Sequence, residues 1–482
     1  MKEWRYNVAV VGGGPAGMAA AVTAKKQGAQ RVLLIDRNDF LGGILPQCIH
    51  DGFGLTEFKK QLTGPEYSHE WEQQLAESGA DCLLNTTVVA MHPGEPVVLD
   101  VTGPECGLAK VYCGAVVLAA GCRERTLGQL RVPGSRPAGI FTAGAVQYMM
   151  NRQNLLPGRS AVILGLGDVG LIMARRLMLE GVKVKMILGQ EAGGLLRNYI
   201  QCVRDFDIPL KLGYTVVSTH GNGRLKGVAI APIDHAGKID ETQKQYVPCD
   251  TLLVAAGLIP ETEIWSKTGQ KLNPAGGIPV DETMSTPCPG VFACGNMVRV
   301  YDTADQVSKA GRKAGEAAAK WLKAKWLKAK RPVGQCGVPE VHPGRKLTEA
   351  DVAQGDQCMV CTLCPNGCVL QKKIENGVQT VVGNRCERGL GFAKQESTDP
   401  KRILTTTVRL EGSNCPLLPV RTDVPVSRNA YDAVMREVRK LHVHAPIAVG
   451  QVLLENVAHT GAKLLAAADA LLGEECIYDG TR

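Results

Sequence analysis

A chain of 482 residues is too long for one hydrophobic core, and the usual domain size of roughly 100 to 200 residues implies about three domains. Apolar residues make up 45%, and the formal charge of +8 is scattered rather than gathered in aromatic-interleaved basic stripes, so nucleic acid is not the expected partner. Met1 to Val11 lacks a secretory pattern, and no uncharged apolar run reaches the roughly 18 residues that cross a bilayer, so the expectation is a cytoplasmic protein without a transmembrane segment. In such a reducing compartment the 17 cysteines read as metal ligands or redox groups rather than a disulfide framework.

In chain order, Val8 to Val11 reads as a short apolar strand, followed by Gly12, Gly14 and Gly17, an alanine-rich helix from Met18 to Gln27, and a strand from Arg31 to Ile35 that ends at Asp36. This βαβ pattern recurs: strand Ser160 to Leu164, the turn with Gly165, Gly167 and Gly170, helix Leu171 to Glu180, strand Val182 to Leu188. Two apolar strands closed by glycine, Ala115 to Gly121 and Thr251 to Gly257, return the chain to each sheet. Pro289 to Asn296 is a further strand, and Ala304 to Lys320 a helix. The basic stretch Lys320 to Arg345 repeats Trp-Leu-Lys-Ala-Lys twice. Trp321 and Trp326 fall roughly 140° apart on a helix, which predicts a solvated face in preference to a docking patch. Residues beyond it, dense in Cys and then in Val, Pro and Thr, read as a separate small α+β domain.

Each glycine of Gly12-x-Gly14-x-x-Gly17 has a mechanical role: a tight turn, backbone approach to a pyrophosphate, and close packing of helix on strand. Asp36 at the next strand tip can accept hydrogen bonds from a ribose diol. The second loop has the glycines but not the acid. Its strand ends Leu188-Gly189-Gln190, with neither a carboxylate nor an adjacent Arg for a 2′-phosphate, and Glu191 is the nearest substitute. A retained fold serving as scaffold is the alternative to a working nicotinamide site.

The most specific pattern is Cys361-x-x-Cys364-Pro-Asn-Gly-Cys368 with a remote Cys386. Three close thiolates and a distant fourth favour a 4Fe-4S cluster over tetrahedral zinc, since zinc ribbons pair CxxC with CxxC; zinc and unliganded thiols remain the alternatives. Cys358 is a possible substitute ligand. Cys48 lacks the partner of a redox dithiol, and so does Cys294. Cys48 and His50 are candidates for lining an active site, against ordinary packing, while Cys106, Cys113, Cys122 and Cys202 read as buried small hydrophobes.

Gly290-Val-Phe-Ala-Cys-Gly-Asn296 resembles the second flavin fingerprint of the glutathione-reductase and thioredoxin-reductase superfamily, with Asn296 where Asp is usual. The resemblance runs over about residues 5 to 320 and takes in Gly42-Gly43 and Ala119-Ala120-Gly121. It implies FAD at Gly12, Gly14, Gly17, Asp36, Gly43, Gly121, Gly295 and Asn296, and NAD(P)(H) as co-substrate at Gly165, Gly167 and Gly170. The stretches Gly43-Ile-Leu-Pro-Gln-Cys-Ile-His-Asp-Gly-Phe-Gly54 and Asn296-Met-Val-Arg-Val-Tyr-Asp302 are similar to the NAD(P)/FAD-dependent oxidoreductase subunits that accompany anaerobic-type glycerol-3-phosphate dehydrogenases. Residues 355 to 470, with Arg402-Ile-Leu-Thr-Thr-Thr-Val408 and Leu418-Pro-Val-Arg-Thr422, resemble the small cysteine-rich protein commonly encoded beside them.

The expected fold is therefore α/β, with two Rossmann-like dinucleotide-binding domains and a small α+β cysteine-rich C-terminal domain. The FAD domain (1–135 and 266–325) is interrupted by the NAD(P) domain (136–265), and a linker (326–354) leads to the iron–sulfur domain (355–482). The resemblance implies an electron-transfer subunit between NAD(P)(H), FAD and the cluster, with a partner dehydrogenase subunit oxidising the substrate. A stand-alone NAD(P)H-dependent reductase, or a flavoprotein scaffold with a structural zinc domain, are the other readings.

Overall fold

The computed structural model describes residues 1–190, 200–326, 358–363, 367–375 and 378–473. They form two compact units: Met1–Arg123 together with the chain from Leu258 onward, and Glu124–Gly257 together with the C-terminal residues.

In the first unit, strand Lys2–Val11 lies between parallel neighbours Val32–Ile35 and Gly107–Leu118, so that Val11 stands opposite both Ile35 and Leu118. Val291–Ala293 adds in parallel beside Gly107–Leu118, and an antiparallel meander of Val97–Gly103 and Thr87–His92 extends the sheet. Val8, Ala9 and Val10 are all fully buried, as an unalternating apolar run requires when both faces of a parallel sheet are covered. The first strand begins at Lys2 rather than Val8 because its ladder with Gly107–Leu118 continues to Lys2 opposite Ala109. That partner is more than a hundred residues away, so polar Lys2 to Arg5 give no strand signal of their own.

Helices Pro15–Lys26 and Ala304–Trp326 cross closely in this unit. A Cβ on Gly311 would fall 2.1 Å from the Ala16 carbonyl oxygen, and one on Gly315 2.2 Å from that of Ala20, so only glycine admits this approach. The second helix carries the first copy of the basic repeat, and Trp321 and Leu322 pack against the core. Trp321 is therefore a packing residue and not part of a solvated face.

The second unit contains a five-stranded parallel sheet in the order Ile140–Thr142, Thr251–Val254, Ser160–Leu164, Lys183–Gly189, Leu210–Leu212. Helix Asp168–Leu179 follows the second glycine loop. In the C-terminal part, strand Val369–Glu375 pairs antiparallel with Cys358–Val360 on one side and with Val378–Val382 on the other. Beyond them, a mixed five-stranded sheet built on Thr405–Glu411 and Leu417–Thr422 packs with helix Tyr431–Val438.

This C-terminal part shares its core with the second dinucleotide fold. Val360 is buried with Ile200, Val203 and Ile208, and Leu179 is buried among Leu404, Val408 and Val438. Two buried polar networks run alongside. Arg176 engages Asn151, Glu180, Thr406 and Thr407, and Arg402 pairs with Asp205 and Glu396. Among the described residues no helix is long and apolar enough to cross a membrane.

Candidate dinucleotide and cysteine sites

The first glycine loop forms a cradle. Gly12 has φ +109°, and a Cβ there would stand 2.5 Å from the Ala119 carbonyl oxygen; one on Gly17 would stand 1.8 Å from that of Gly12. Both positions exclude every other residue and seat the helix start against the strand. Gly42 donates to the Gly13 carbonyl (2.9 Å), which brings Gly43 opposite Gly14. A Cβ on Gly14 would find nothing nearer than the Gly43 Cα at 3.9 Å, so this side of the loop is open. Gly14 caps helix Pro15–Lys26 without a side-chain hydrogen bond, leaving the helix start unclaimed by side chains in the manner a pyrophosphate needs. Asp36, 8% exposed, accepts from Gly13 N–H (2.5 Å) and Asn38 N–H (2.8 Å). The cradle, the open face and this carboxylate at the strand tip fit FAD.

At the same carboxyl edge of the sheet, where Leu118 and Ala293 continue the register of Val11, Gly121 has φ +77° with empty space where a Cβ would project, and Gly295 has φ +64°. Asn296 uses both ends of its amide: Nδ2 donates to Cys122 Sγ (3.3 Å) and Oδ1 accepts from Tyr301 N–H (3.1 Å). A carboxylate here could not donate to this sulfur and could meet it only by accepting its S–H. Cys48 and His50 share one loop. Cys48 is buried, its carbonyl accepting from Gly64 N–H (2.9 Å) at the start of helix Gly64–Ser78. His50 is half-buried, with Nδ1 3.0 Å from the Asp51 carbonyl oxygen and its ring 4.9 Å from that of Phe53. Asp305 accepts from the N–H groups of Gly54 (3.2 Å) and Thr56 (2.8 Å), pinning the same loop. The sequence reading passes over Asp305, although an acid in the first turn of a helix is a recognisable anchor for backbone N–H groups.

The second loop repeats this construction. Gly165 has φ +115°, with a Cβ position 2.2 Å from the Ala255 carbonyl oxygen; a Cβ on Gly170 would be 2.9 Å from that of Gly165. Gly167 caps helix Asp168–Leu179 without a side-chain bond. The place of Asp36 is taken by Gly189, and the Gln190 amide donates to the Asp234 carbonyl (2.7 Å). Glu191 lies outside the described residues.

Of the candidate metal ligands, Cys361 and Cys368 face each other across the hairpin mouth, with Cys361 N–H donating to the Cys368 carbonyl (2.8 Å). Both are buried, in a cluster with Met359, Leu370, Phe392 and Ala393. Phe392 and Ala393 belong to helix Glu387–Thr398, whose N-cap is Cys386, so the helix that follows the remote cysteine packs on the hairpin that holds the other two, although among the described residues no three His, Cys, Asp or Glu side chains come together as a metal site. A Cβ on Gly383 would fall 2.1 Å from the Val369 carbonyl oxygen, so the segment entering Cys386 runs tight against the residue after Cys368. The exposed Cys386 thiol is held below its ordinary range, chiefly by the Gly389 N–H at the helix start. Cys358 opens its strand in register with Gln371, and Cys364 lies outside the described residues. Elsewhere Cys113 and Cys294 are buried, with thiols pushed up to about 12 by desolvation, as inert packing residues are. Cys106 is also buried, whereas Cys122 and Cys202 are only partly so.

Two successive dinucleotide folds and an appended cysteine-bearing part define a flavoprotein oxidoreductase of the two-fold type. The family of pyridine nucleotide-disulphide oxidoreductases matches residues 6–314, and the chain belongs to that family. Membership supports FAD and NAD(P) as the groups taken by the two folds. Residues 387–468 match a second family, described as a protein of unknown function (DUF1667).

Among curated relatives, hydrogen cyanide synthase subunit HcnB of Pseudomonas protegens is 29% identical over 292 residues, 55% of this chain and 60% of that one. An opine oxidase subunit of Agrobacterium tumefaciens is 29% identical over 55% of each chain. The chain thus spans little more than half the length of these relatives. The thioredoxin reductase of T. acidophilum has the same fold over 67% of this chain and 99% of its own, with a TM-score of 0.54 at 22% identity.

Proposed function

We propose that this chain is an FAD-dependent oxidoreductase that passes electrons between NAD(P)(H), FAD and a 4Fe-4S cluster, as the electron-transfer subunit of a dehydrogenase complex. Cys361, Cys364, Cys368 and Cys386 hold the cluster, with Cys358 as a substitute ligand. The observation that carries this reading is the convergence of Cys361, Cys368 and the Cys386 helix on one small hydrophobic layer. Bound flavin accepts a hydride pair and releases electrons singly, while a cluster carries one electron at a time.

The chain's own residues position these groups. Gly12, Gly14, Gly17 and Gly43 admit the flavin pyrophosphate, Asp36 stands at the ribose, and Gly121, Gly295 and Asn296 border the same edge of the sheet beside the loop. The second loop, with Gly165, Gly167 and Gly170, admits the nicotinamide dinucleotide. We assign the substrate-oxidising site to a partner subunit, of the glycerol-3-phosphate dehydrogenase kind that the sequence resembles, with Cys48 and His50 as candidates for lining the flavin side. Relatives named as subunits, those of hydrogen cyanide synthase and opine oxidase, support a multi-subunit setting.

Anaerobic purification with iron, sulfide and zinc analysis, followed by EPR of the dithionite-reduced protein, tests the cluster. About four irons per chain and a reduced-cluster signal are expected. Stoichiometric zinc with no iron and a silent spectrum would leave the C-terminal part as a structural zinc domain. Anaerobic stopped-flow with NADH and NADPH tests the second fold. Flavin bleaching is expected, and its absence with both nucleotides would make that fold a scaffold.

A further inference from the structure

Helix Ala143–Arg152 is followed by Asn154, with φ +57°, after which Leu155 and Leu156 stand 51% and 54% exposed. They form the lip of a cavity of about 230 Å³ that lies, within the second unit, where the second dinucleotide fold meets the C-terminal part. Its walls divide by chemistry. Met150, Leu417 and Val438 are buried and apolar, whereas Arg176, Arg409 and Arg439 bring three positive charges against the single carboxylate of Glu180.

Arg176 is the fixed point of the charged wall. Its side chain is 6% exposed, and four of its five N–H groups have partners among the described residues. Nε donates to Asn151 (2.8 Å), Nη1 to Glu180 and to Thr406 (3.1 Å), and Nη2 to Thr407 (3.2 Å), which leaves one N–H of Nη2 over in a buried guanidinium that lines the cavity. Arg409 shares a strand face with Thr407, stands opposite Leu417 in the ladder and is exposed. Glu411, the next residue on that face, is turned to His442 and His444 at 3.5 Å each. Arg439 donates to the Leu179 carbonyl (2.5 Å), with its Nε 3.8 Å from Glu180. Burial lowers the Arg176 pKa, Glu180 opposes this, and the charges of Arg175 and Arg439 add to the lowering, so the surroundings are positive on balance.

We propose that this cavity binds a small organic anion carrying an apolar group. Arg176, Arg409 and Arg439 receive the acid end, and Met150, Leu417, Val438 and the Leu155–Leu156 lip receive the apolar end. Guanidinium groups pair with carboxylates through parallel N–H donors, a contact that a neutral ligand cannot return. The volume equals about eight waters at roughly 30 Å³ each, which suits a short-chain organic acid and not a dinucleotide. Glu180 lies at the opposite end of helix Asp168–Leu179 from Gly167, so the site is distinct from the second glycine loop, and the proposal does not depend on the flavin, nicotinamide or cluster assignments.

The test is titration of the full-length, FAD-loaded chain with hexanoate, followed by saturation-transfer NMR of the ligand, with hexan-1-ol as the uncharged chain of equal length. Hexanoate should bind saturably and at least about tenfold more tightly than hexanol, a difference of about 1.4 kcal/mol. Arg409→Gln should weaken hexanoate about fivefold or more and leave hexanol unchanged, with the thermal unfolding of wild type, because the side chain is exposed. Leu156→Ser should weaken both ligands. No saturation by about 10 mM hexanoate would overturn the proposal, as would equal affinity for the alcohol or an affinity unmoved in Arg409→Gln. Residues 474–482, which include Glu474, Glu475 and Asp479, follow Gly473, whose N–H donates to the Gly412 carbonyl (2.9 Å) near the end of the Arg409 strand. Hexanoate binding that appears only when residues 474–482 are deleted would assign the cavity to that segment and overturn the proposal as well.

Discussion

Replacing Arg402 with methionine should loosen the C-terminal part from the second dinucleotide fold at a cost of about 3–5 kcal/mol, the usual result of breaking a buried ion pair from one side. The guanidinium bonds Glu396 with both of its terminal nitrogens (2.7 and 2.6 Å) and reaches Asp205 at 3.1 Å. Arg402 is 12% exposed, Asp205 3% and Glu396 10%, so the substitution leaves two desolvated carboxylates bridged by the neutral Gln201 amide (3.1 and 2.9 Å). Burial works against the charge on Arg402, but Glu396 and Asp205 outweigh it and hold its proton more firmly than in a free guanidinium. The guanidinium therefore keeps its charge throughout the neutral range, and the loss should be present there in full. Lysine keeps the charge but not the planar fork and should cost less, on the order of 1–2 kcal/mol. Urea unfolding followed by circular dichroism measures both, and iron content reports on the helix that runs from Cys386 to Glu396. A methionine variant within 1 kcal/mol of wild type would refute the view that this triad fastens the C-terminal part.

Asp36→Ala removes the acceptor for Gly13 and Asn38 N–H groups, each bond to a charged group being worth roughly 1.5–3 kcal/mol. The purified variant should lose most of its flavin absorbance, and full flavin content would contradict the site. Cys113 and Cys294, buried and pushed up to about 12, should resist iodoacetamide in the native protein near neutral pH and react after denaturation; mass spectrometry showing native labelling of either would count against this packing. At Asp250, burial raises the pKa, but N–H donors from Ser160 (3.1 Å) and Arg159 (2.9 Å) overcome it and hold the carboxyl below its ordinary value. A depressed carboxylate stabilises fully above its unfolded pKa and loses that contribution as pH falls through the folded one. D250N should therefore cost about 1–2 kcal/mol near neutral pH and progressively less below about pH 4. A stability difference that stays constant down to about pH 3 would show that the carboxylate is not the source.

What was legible in the sequence is what the local chain enforces. Gly12 and Gly165 need a positive φ and a neighbouring carbonyl where a Cβ would stand, so their spacing announces a nucleotide loop before any contact is known. Cys361 and Cys368 are close because they lie near each other in the chain and flank the paired strands Cys358–Val360 and Val369–Glu375. The missing acid at Gly189 could likewise be read directly, but not the seat of the Leu166 side chain beside it, because that depends on how two segments meet.

Tertiary structure alone decided the longer-range facts. Arg402 pairs with Asp205 across 197 positions, Lys2 becomes a strand residue through Ala109, and Val360 joins the core of the second fold, making one unit of what composition presents as a separate domain. The physical reason is the same in each case. A backbone conformation is constrained by the residue that adopts it, whereas burial and pairing are properties of two surfaces that meet only when the chain returns, and a single residue type carries no record of its partner.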